Sequence, residues 1–297
     1  MAKITLLDGG MGQELVARSG DEPTTLWATR VMIDHPGMVR AIHEDYFAAG
    51  ATVATTNTYA THHDRLERLD LDHLFQALHL RALAEAHEAR GKRTARIAGS
   101  IGPLKASYRP DLAESIDVDA PKYAEVARTL GPHVDLILCE TMSSVAMADA
   151  ASLGAQASGK SVWLSVSVDD QDGTRLRSGE PVADLAEIVQ RHDVAAVLAN
   201  CSVPESIAAA LGEFGGFGVP FGAYANGFTH ISAGYLQDAS TVKELTARHD
   251  LTPERYADFA MDWVEIGATI VGGCCEVGPA HIAHLAGRLS AAGHEIV

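Results

Sequence analysis

Short apolar runs recur along this chain, each ending in polar residues and each followed by a helical pattern or a long loop. Eight such runs are present: Ile4–Leu7, Ala51–Thr56, Ala95–Ala98, Val134–Cys139, Val162–Val168, Val194–Leu198, Val219–Tyr224 and Ala268–Val271. Strands of a parallel sheet are covered on both faces, so they read as near-continuous apolar stretches of this kind. Helical patterns fall between them, at 36–49, 74–90, 181–190, 203–211, 253–267 and 279–289. In the first of these, Met38, Val39, Ile42, Tyr46 and Phe47 share one face. Pro121 is expected to open a further helix, at the first helical position. Eight strand-plus-helix units in 297 residues predict an α/β fold of the (β/α)8 barrel type. The rival is an open doubly wound sheet. It commonly carries a full glycine fingerprint after its first strand, and Asp8-Gly-Gly-Met-Gly12 falls short of one. No linker or low-complexity tract interrupts the chain, so residues 1–297 read as a single domain.

A barrel gathers chemistry at the C-terminal ends of its strands. Asp8, Asn57, Glu140, Cys201, Asn226, Cys274 and Cys275 all stand at such ends. The cysteines are the most informative. Gly272-Gly273 precedes Cys274-Cys275, and the glycines let the backbone bend so that neighbouring side chains can face one centre. Closure of the barrel brings Cys201 toward the same point. Three thiolates suit Zn²⁺, and three protein ligands leave the fourth position open, as in catalytic zinc sites. Two plainer readings stand beside it: buried cysteines that only pack, and a vicinal disulfide between Cys274 and Cys275. Asp8 with Gly9 and Gly10 lies at a strand tip and a helix start. There backbone N–H groups favour a small anion and the carboxylate a cation, the two groups an amino acid presents. The alternative for Asp8 is a helix N-cap. The long connection at 104–119, with Tyr108, Arg109 and Pro110, is expected to frame a substrate. His62-His63 and the i, i+3 pair His281 and His284 are weaker metal candidates.

Charge narrows the partners. Asp and Glu total 39 against 23 for Lys and Arg, a net charge of −16. Nucleic acid and anionic membrane surfaces both call for a basic face, so neither is an expected partner. The N-terminal residues show no apolar signal core, and no run approaches the roughly 18 apolar residues of a membrane helix. Four cysteines make no disulfide framework at this length, which points to a reducing, cytoplasmic location.

Taken together, the segments Leu7-Asp-Gly-Gly-Met-Gly12, Thr56-Asn-Thr-Tyr59, Gly99-Ser-Ile-Gly-Pro103, Glu140-Thr-Met142, Asn200-Cys201 and Gly272-Gly-Cys-Cys275 resemble the zinc-dependent homocysteine S-methyltransferases. That family includes the enzymes that use betaine or S-methylmethionine. The Asn-Cys and Gly-Gly-Cys-Cys pair is the specific part. The resemblance implies zinc held by Cys201, Cys274 and Cys275. It implies that Asp8 and Glu140 take homocysteine's amino group and that the Gly9-Gly10 turn takes its carboxylate. The implied reaction moves a methyl group from a cationic donor (S-methylmethionine, betaine or S-adenosylmethionine) to the homocysteine thiolate, giving methionine. Where S-methylmethionine enzymes often carry Arg-Thr-Thr-Pro, this chain has Glu276-Val-Gly-Pro279, and it has Ala225-Asn226 where many relatives carry Pro-Asn. Both departures weaken the case for that donor. Tyr59, Tyr108, Trp163 and Tyr224 are aromatic candidates for gripping an onium group. Two other functions fit the same cysteines: a zinc hydrolase, with water in the open position, and a non-catalytic zinc- or thiol-binding protein. Three thiolates quench the acidity of zinc and count against the first. The second leaves Asp8 and Glu140 without a role.

Overall fold

A computed structural model of the chain describes residues 1–232, 234–237 and 241–297. Eight parallel strands run in chain order around a barrel: β1 (Lys3–Leu6), β2 (Val53–Thr55), β3 (Arg96–Ile101), β4 (Leu136–Met142), β5 (Ser161–Val166), β6 (Ala196–Asn200), β7 (Phe221–Tyr224) and β8 (Ile270–Val271). β8 pairs back onto β1. The remaining seam closes through a parallel bridge between Leu7 and Val53, with Thr52 N–H donating to Leu6 O at 2.7 Å and Asp8 N–H to Val53 O at 3.1 Å. The expected (β/α)8 barrel is the observed fold.

Two apolar layers hold it together. Leu7, Val53, Leu136, Leu138, Trp163 and Leu198 fill the lumen, while the outer faces of the strands pack on the ring of helices. Burial of this kind stabilises by about 25 cal/mol per Å² of apolar surface. Trp163 belongs to the lumen packing and has the Arg96 guanidinium 5.3 Å from its ring centroid. It does not line the main cavity, so its candidacy as an onium contact is corrected.

β3, β4 and β6 end later than hydrophobicity alone indicates, whereas β5 ends earlier, at Val166. Glu140 lies within β4 and Asn200 within β6, because paired hydrogen bonds let both stay buried in line with the sheet. Helix bounds shift as well. Pro121 sits inside the helix Ile116–Leu130, not at its start. Its missing N–H costs one bond there, but burial of Ala120, Tyr123, Ala124 and Ala127 keeps the helix continuous. That helix also takes the last residues of the expected 104–119 loop. The 181–190 pattern divides into a short 3-10 turn, Val182–Asp184, and the helix Leu185–Arg191. Further elements were not anticipated, among them the short helix His63–Leu66 and several 3-10 turns. Ala28–Asp34 and Val145–Ala155 are helices, and β9 (Glu295–Ile296) pairs with β1 outside the barrel.

Candidate active site

At the C-terminal mouth of the barrel is a cavity of about 870 Å³, its open mouth included. Asp8, Gly9, Gly10, Asn57 and Glu140 line it, as do Cys201, Cys274 and Cys275. Asn226 does not. It is buried just behind the wall, with Oδ1 accepting from Phe228 N–H at 3.2 Å and Nδ2 lacking a partner among the described residues.

The three cysteine sulfurs lie within 4.8 Å of one another, the one His/Cys/Asp/Glu group of metal-binding geometry among the described residues. Cys201 follows β6 with φ +49, and its carbonyl accepts from Ser167 Oγ and Arg177 Nη2, both at 3.2 Å. Cys274 N–H donates to Ala225 O at 2.9 Å, and Gly227 N–H donates to Cys275 O at 2.8 Å, so β7 and the cysteine loop fix each other. Tyr256 clamps them from the helix Pro253–Ile266, its hydroxyl accepting from Ala225 N–H at 3.1 Å and donating to Gly272 O at 2.5 Å. The glycines at the N-terminal turn fit the same loop. Gly10 N–H donates to Val277 O at 2.9 Å, and a Cβ on Gly10 would sit 2.6 Å from Cys274 O. That N–H is therefore engaged by protein, a partner the glycine motif did not reveal.

Cys201 and Cys274 are joined as a disulfide and Cys275 is free, so the vicinal Cys274–Cys275 pairing is not adopted. Two thiols joined to each other and two thiolates on a metal are alternative uses of the same sulfurs. Burial pushes the Cys275 thiol up to about 12, with the Glu276 charge adding to it. A buried thiol that resists ionisation, beside two further sulfurs, is what a soft divalent cation would compensate. The residues present therefore fit a metal.

Two carboxylates share the cavity. Asp8 accepts Thr55 N–H at 2.7 Å and Thr55 Oγ1–H at 2.8 Å. Burial nevertheless raises its pKa to about 7, with the Glu140 charge contributing. Glu140 accepts from Ser100 Oγ and from the Tyr224 hydroxyl, the latter at 2.9 Å, and its pKa too is raised by burial. Two desolvated carboxylates on one wall favour a cationic guest. Asn200 does not face the guest in this way. Its side chain is spent on Thr141 N–H at 3.0 Å, Ser165 Oγ at 2.8 Å and Thr141 Oγ1 at 2.9 Å, which hold β4, β5 and β6 in register.

Aromatic rings cover the rest. Tyr59, Tyr108 and Tyr224 line the cavity as their positions suggested, joined by Trp27 and Tyr235. Trp27 lies edge-on to Tyr59 at 6.4 Å, and Tyr108 lies against Tyr235 at 5.9 Å. The Arg177 guanidinium stands 4.9 Å from the Tyr108 centroid. Trp27 is held from behind: its indole N–H donates to Gln13 Oε1 at 3.0 Å, and Gln13 Nε2 donates to Glu276. Trp27, Gln13, Ser100, Thr55 and Arg177 were not singled out from sequence. Ser100 lies within a quoted motif, whereas the others carry no local pattern. Of the seven described non-glycine residues with positive φ, Trp27, Tyr108, Thr141 and Cys201 line this cavity and Glu276 adjoins it. Strain collected in one place marks a functional site. The histidine candidates lie elsewhere: His62 is buried beside Tyr123, His63 pairs with Asp72, and His281 bonds Gly278 N–H and Leu251 O.

Comparison with known proteins agrees with this geometry. A family model described as homocysteine S-methyltransferase matches residues 5–289. The homocysteine S-methyltransferase of Escherichia coli K12 is 30% identical over 304 residues, covering 96% of this chain and 95% of that protein. The solved structure of the homocysteine methyltransferase MmuM from Escherichia coli, metallated form, superposes with a TM-score of 0.78 at 28% identity, covering 96% of each chain. The oxidized form of that protein gives 0.79 at 27% identity, with the same coverage.

Proposed function

Because this chain belongs to the homocysteine S-methyltransferase family, we propose that it transfers a methyl group from a cationic donor to homocysteine at a zinc centre made by Cys201, Cys274 and Cys275. The observation that carries the metal centre is the convergence of three sulfurs within 4.8 Å on the wall of a cavity that also holds Asp8 and Glu140. A relative solved in a metallated form supports a metal at this site. Zinc bound there would supply positive charge that keeps the homocysteine sulfur a thiolate at neutral pH.

The chain's own residues do the rest. Asp8 and Glu140 receive the substrate ammonium, whose charge offsets the burial that opposes their ionisation. Ser100 and Tyr224 hold Glu140 in place, and Thr55 holds Asp8. The substrate carboxylate lies toward the turn at Gly9 and Gly10, while Asn57 donates to Ala28 O and Asn226 accepts from Phe228 N–H, holding segments beside the cavity. Trp27, Tyr59 and Tyr108 line the space for an onium centre, and aromatic rings make favourable contact with a desolvated cation. The sulfur lone pair forms the new S–CH₃ bond as the bond from the methyl carbon to the donor's sulfur or nitrogen breaks. That electron pair stays on the donor, which leaves neutral at that atom. No proton moves at carbon, so alignment and exclusion of water carry the acceleration. S-methylmethionine, betaine and S-adenosylmethionine all meet these requirements. Residues 1–297 act as one catalytic barrel, and a reducing cytoplasm keeps its thiols available.

The test is zinc content and methionine formation in one reduced preparation, with homocysteine and each of the three donors. About one zinc per chain, lost in Cys201→Ala, with methionine from one donor, is the expected result. A fully reduced protein that never takes up zinc would overturn it.

A further inference from the structure

A second cavity, of about 660 Å³, opens beside the first and shares Ser107 and Tyr235 with it. Arg65, Arg68, Lys105 and Arg109 line it, and no Asp or Glu does among the described residues. In a chain of net charge −16, four cations around one hollow stand out. Two are balanced from behind: Arg109 pairs with Asp111 at 2.6 Å and Lys105 pairs with Glu114. Arg65 has no carboxylate partner among the described residues. Its guanidinium donates to the carbonyls of Pro103 at 2.7 Å and Leu104 at 3.3 Å, and stands 5.6 Å from the Tyr59 centroid. Arg68, on an exposed turn, has no hydrogen-bond acceptor or ion pair among the described residues. Anchoring of the 103–104 segment accounts for Arg65 but leaves Arg68 unexplained.

The wall between the cavities is thin. Tyr59, which lines the main cavity, shares a 2.8 Å hydrogen bond between its hydroxyl and Ser107 Oγ, and Arg65 lies against its ring. We propose that the Arg65–Arg68 hollow is the subsite for a carboxylate at the far end of the methyl donor, bound while the donor's onium centre lies among Trp27, Tyr59 and Tyr108. This rests on the methyl-transfer reading above and extends it to the donor. Guanidinium forks suit carboxylates in charge-assisted, two-pronged pairs. An onium carboxylate would then be held at both ends, with its methyl group aimed at the sulfurs. A donor with a free carboxylate fits, and the same onium with its carboxylate amidated does not.

The experiment has two arms on the reduced, zinc-loaded full chain. In the first, glutarate is titrated at constant ionic strength and its binding is followed by calorimetry. Wild type is expected to bind it, and Arg68→Gln and Arg65→Gln to weaken it about tenfold, the scale of one lost charge-assisted bond. Because Arg65 also holds the 103–104 backbone, the exposed Arg68 variant is the deciding one. In the second arm, donor KM is expected to rise about tenfold in Arg68→Gln, with kcat and the KM for homocysteine unchanged. The carboxamide of the active donor is expected to show that raised KM in wild type already, with no further change in the variant. Equal glutarate binding by wild type and Arg68→Gln, or equal KM for donor and carboxamide, overturns the subsite. Absence of methionine from every donor would instead count against the methyl-transfer reading, with the glutarate arm still deciding whether the hollow binds carboxylate.

Discussion

Tyr224, at the end of β7, reaches across the barrel to donate its hydroxyl to Glu140 Oε2 on β4 at 2.9 Å. The bond favours the ionised carboxylate against the burial that opposes it. Tyr224→Phe removes it and leaves the ring in place. A hydrogen bond to a charged group contributes about 1.5–3 kcal/mol, so kcat/KM for homocysteine is expected to fall by roughly tenfold or more. The sign on pH follows. Glu140 must be ionised to take an ammonium, so activity falls as pH drops through its raised pKa. Without Tyr224 that pKa rises further, and the acid limb of the kcat/KM profile moves to higher pH. A variant whose profile is merely scaled down would show that Tyr224 acts by packing alone.

The barrel was legible because its strands are buried on both faces, which leaves an unmistakable apolar run at each of the eight positions. The cysteines were legible because closure follows from topology once the strands are counted. What sequence missed depends on partners far apart in the chain. Glu140 and Asn200 extend their strands only because Ser100, Tyr224, Thr141 and Ser165 satisfy them inside the barrel. Trp27 lies in a stretch without periodicity, and the Gln13 and Glu276 side chains that orient it come from opposite ends of the chain. Trp163 shows the converse error. An aromatic residue on a strand says nothing of which end of the barrel it occupies.

The Glu276 carboxylate accepts from Gln13, whose side-chain oxygen in turn accepts from the Trp27 indole. Glu276→Ala frees Gln13 and with it the indole. The expected outcome is a several-fold rise in donor KM with zinc content and homocysteine KM unchanged, since the role proposed for Trp27 is contact with the donor's onium centre. Steady-state kinetics with each substrate varied in turn would check it. A change confined to homocysteine would place Trp27 on the other substrate.

Gly10 has no room for a side chain, because a Cβ there would lie 2.6 Å from Cys274 O and 3.0 Å from Cys275 Cα. These are backbone atoms, so the cysteine loop itself must shift in Gly10→Ala. Metal sites need ligands held to within a few tenths of an ångström. Zinc affinity is therefore expected to fall by about tenfold or more while the far-ultraviolet circular dichroism keeps its native shape. Competition with a chelator of known affinity reads this directly, and unchanged affinity would show that the turn and the loop are not coupled.

The chain has four cysteines, and with Cys201 and Cys274 joined, Cys139 and Cys275 remain free. Thiol titration of unfolded, oxidised protein is expected to find these two, and all four after reduction. Zinc uptake should follow the second state only, because the disulfide consumes two of the three ligands. Oxidised protein that binds zinc as tightly as reduced protein would exclude Cys201 and Cys274 as ligands.

Asp8 offers a test through stability. Its folded-state pKa is raised from 3.8 to about 7, chiefly by burial. Above the unfolded value the folded state binds this proton more tightly than the unfolded chain does. Stability from this group is therefore fully present at low pH and is lost as pH rises toward about 7. The difference corresponds to roughly 4 kcal/mol across the window. Asp8→Asn removes the titration and gives up at most one of the Thr55 bonds, a penalty of about 1 kcal/mol that does not vary with pH. Relative to wild type the variant is thus expected to gain melting temperature as pH rises from about 4 to about 7. Glu140, raised in the same direction, leaves both proteins a shared residual slope. Bound homocysteine supplies an ammonium that favours ionised Asp8 and Glu140, so it should flatten the wild-type curve more than the variant's. Melting curves that stay parallel across this range, with and without homocysteine, would remove Asp8 from the ammonium site.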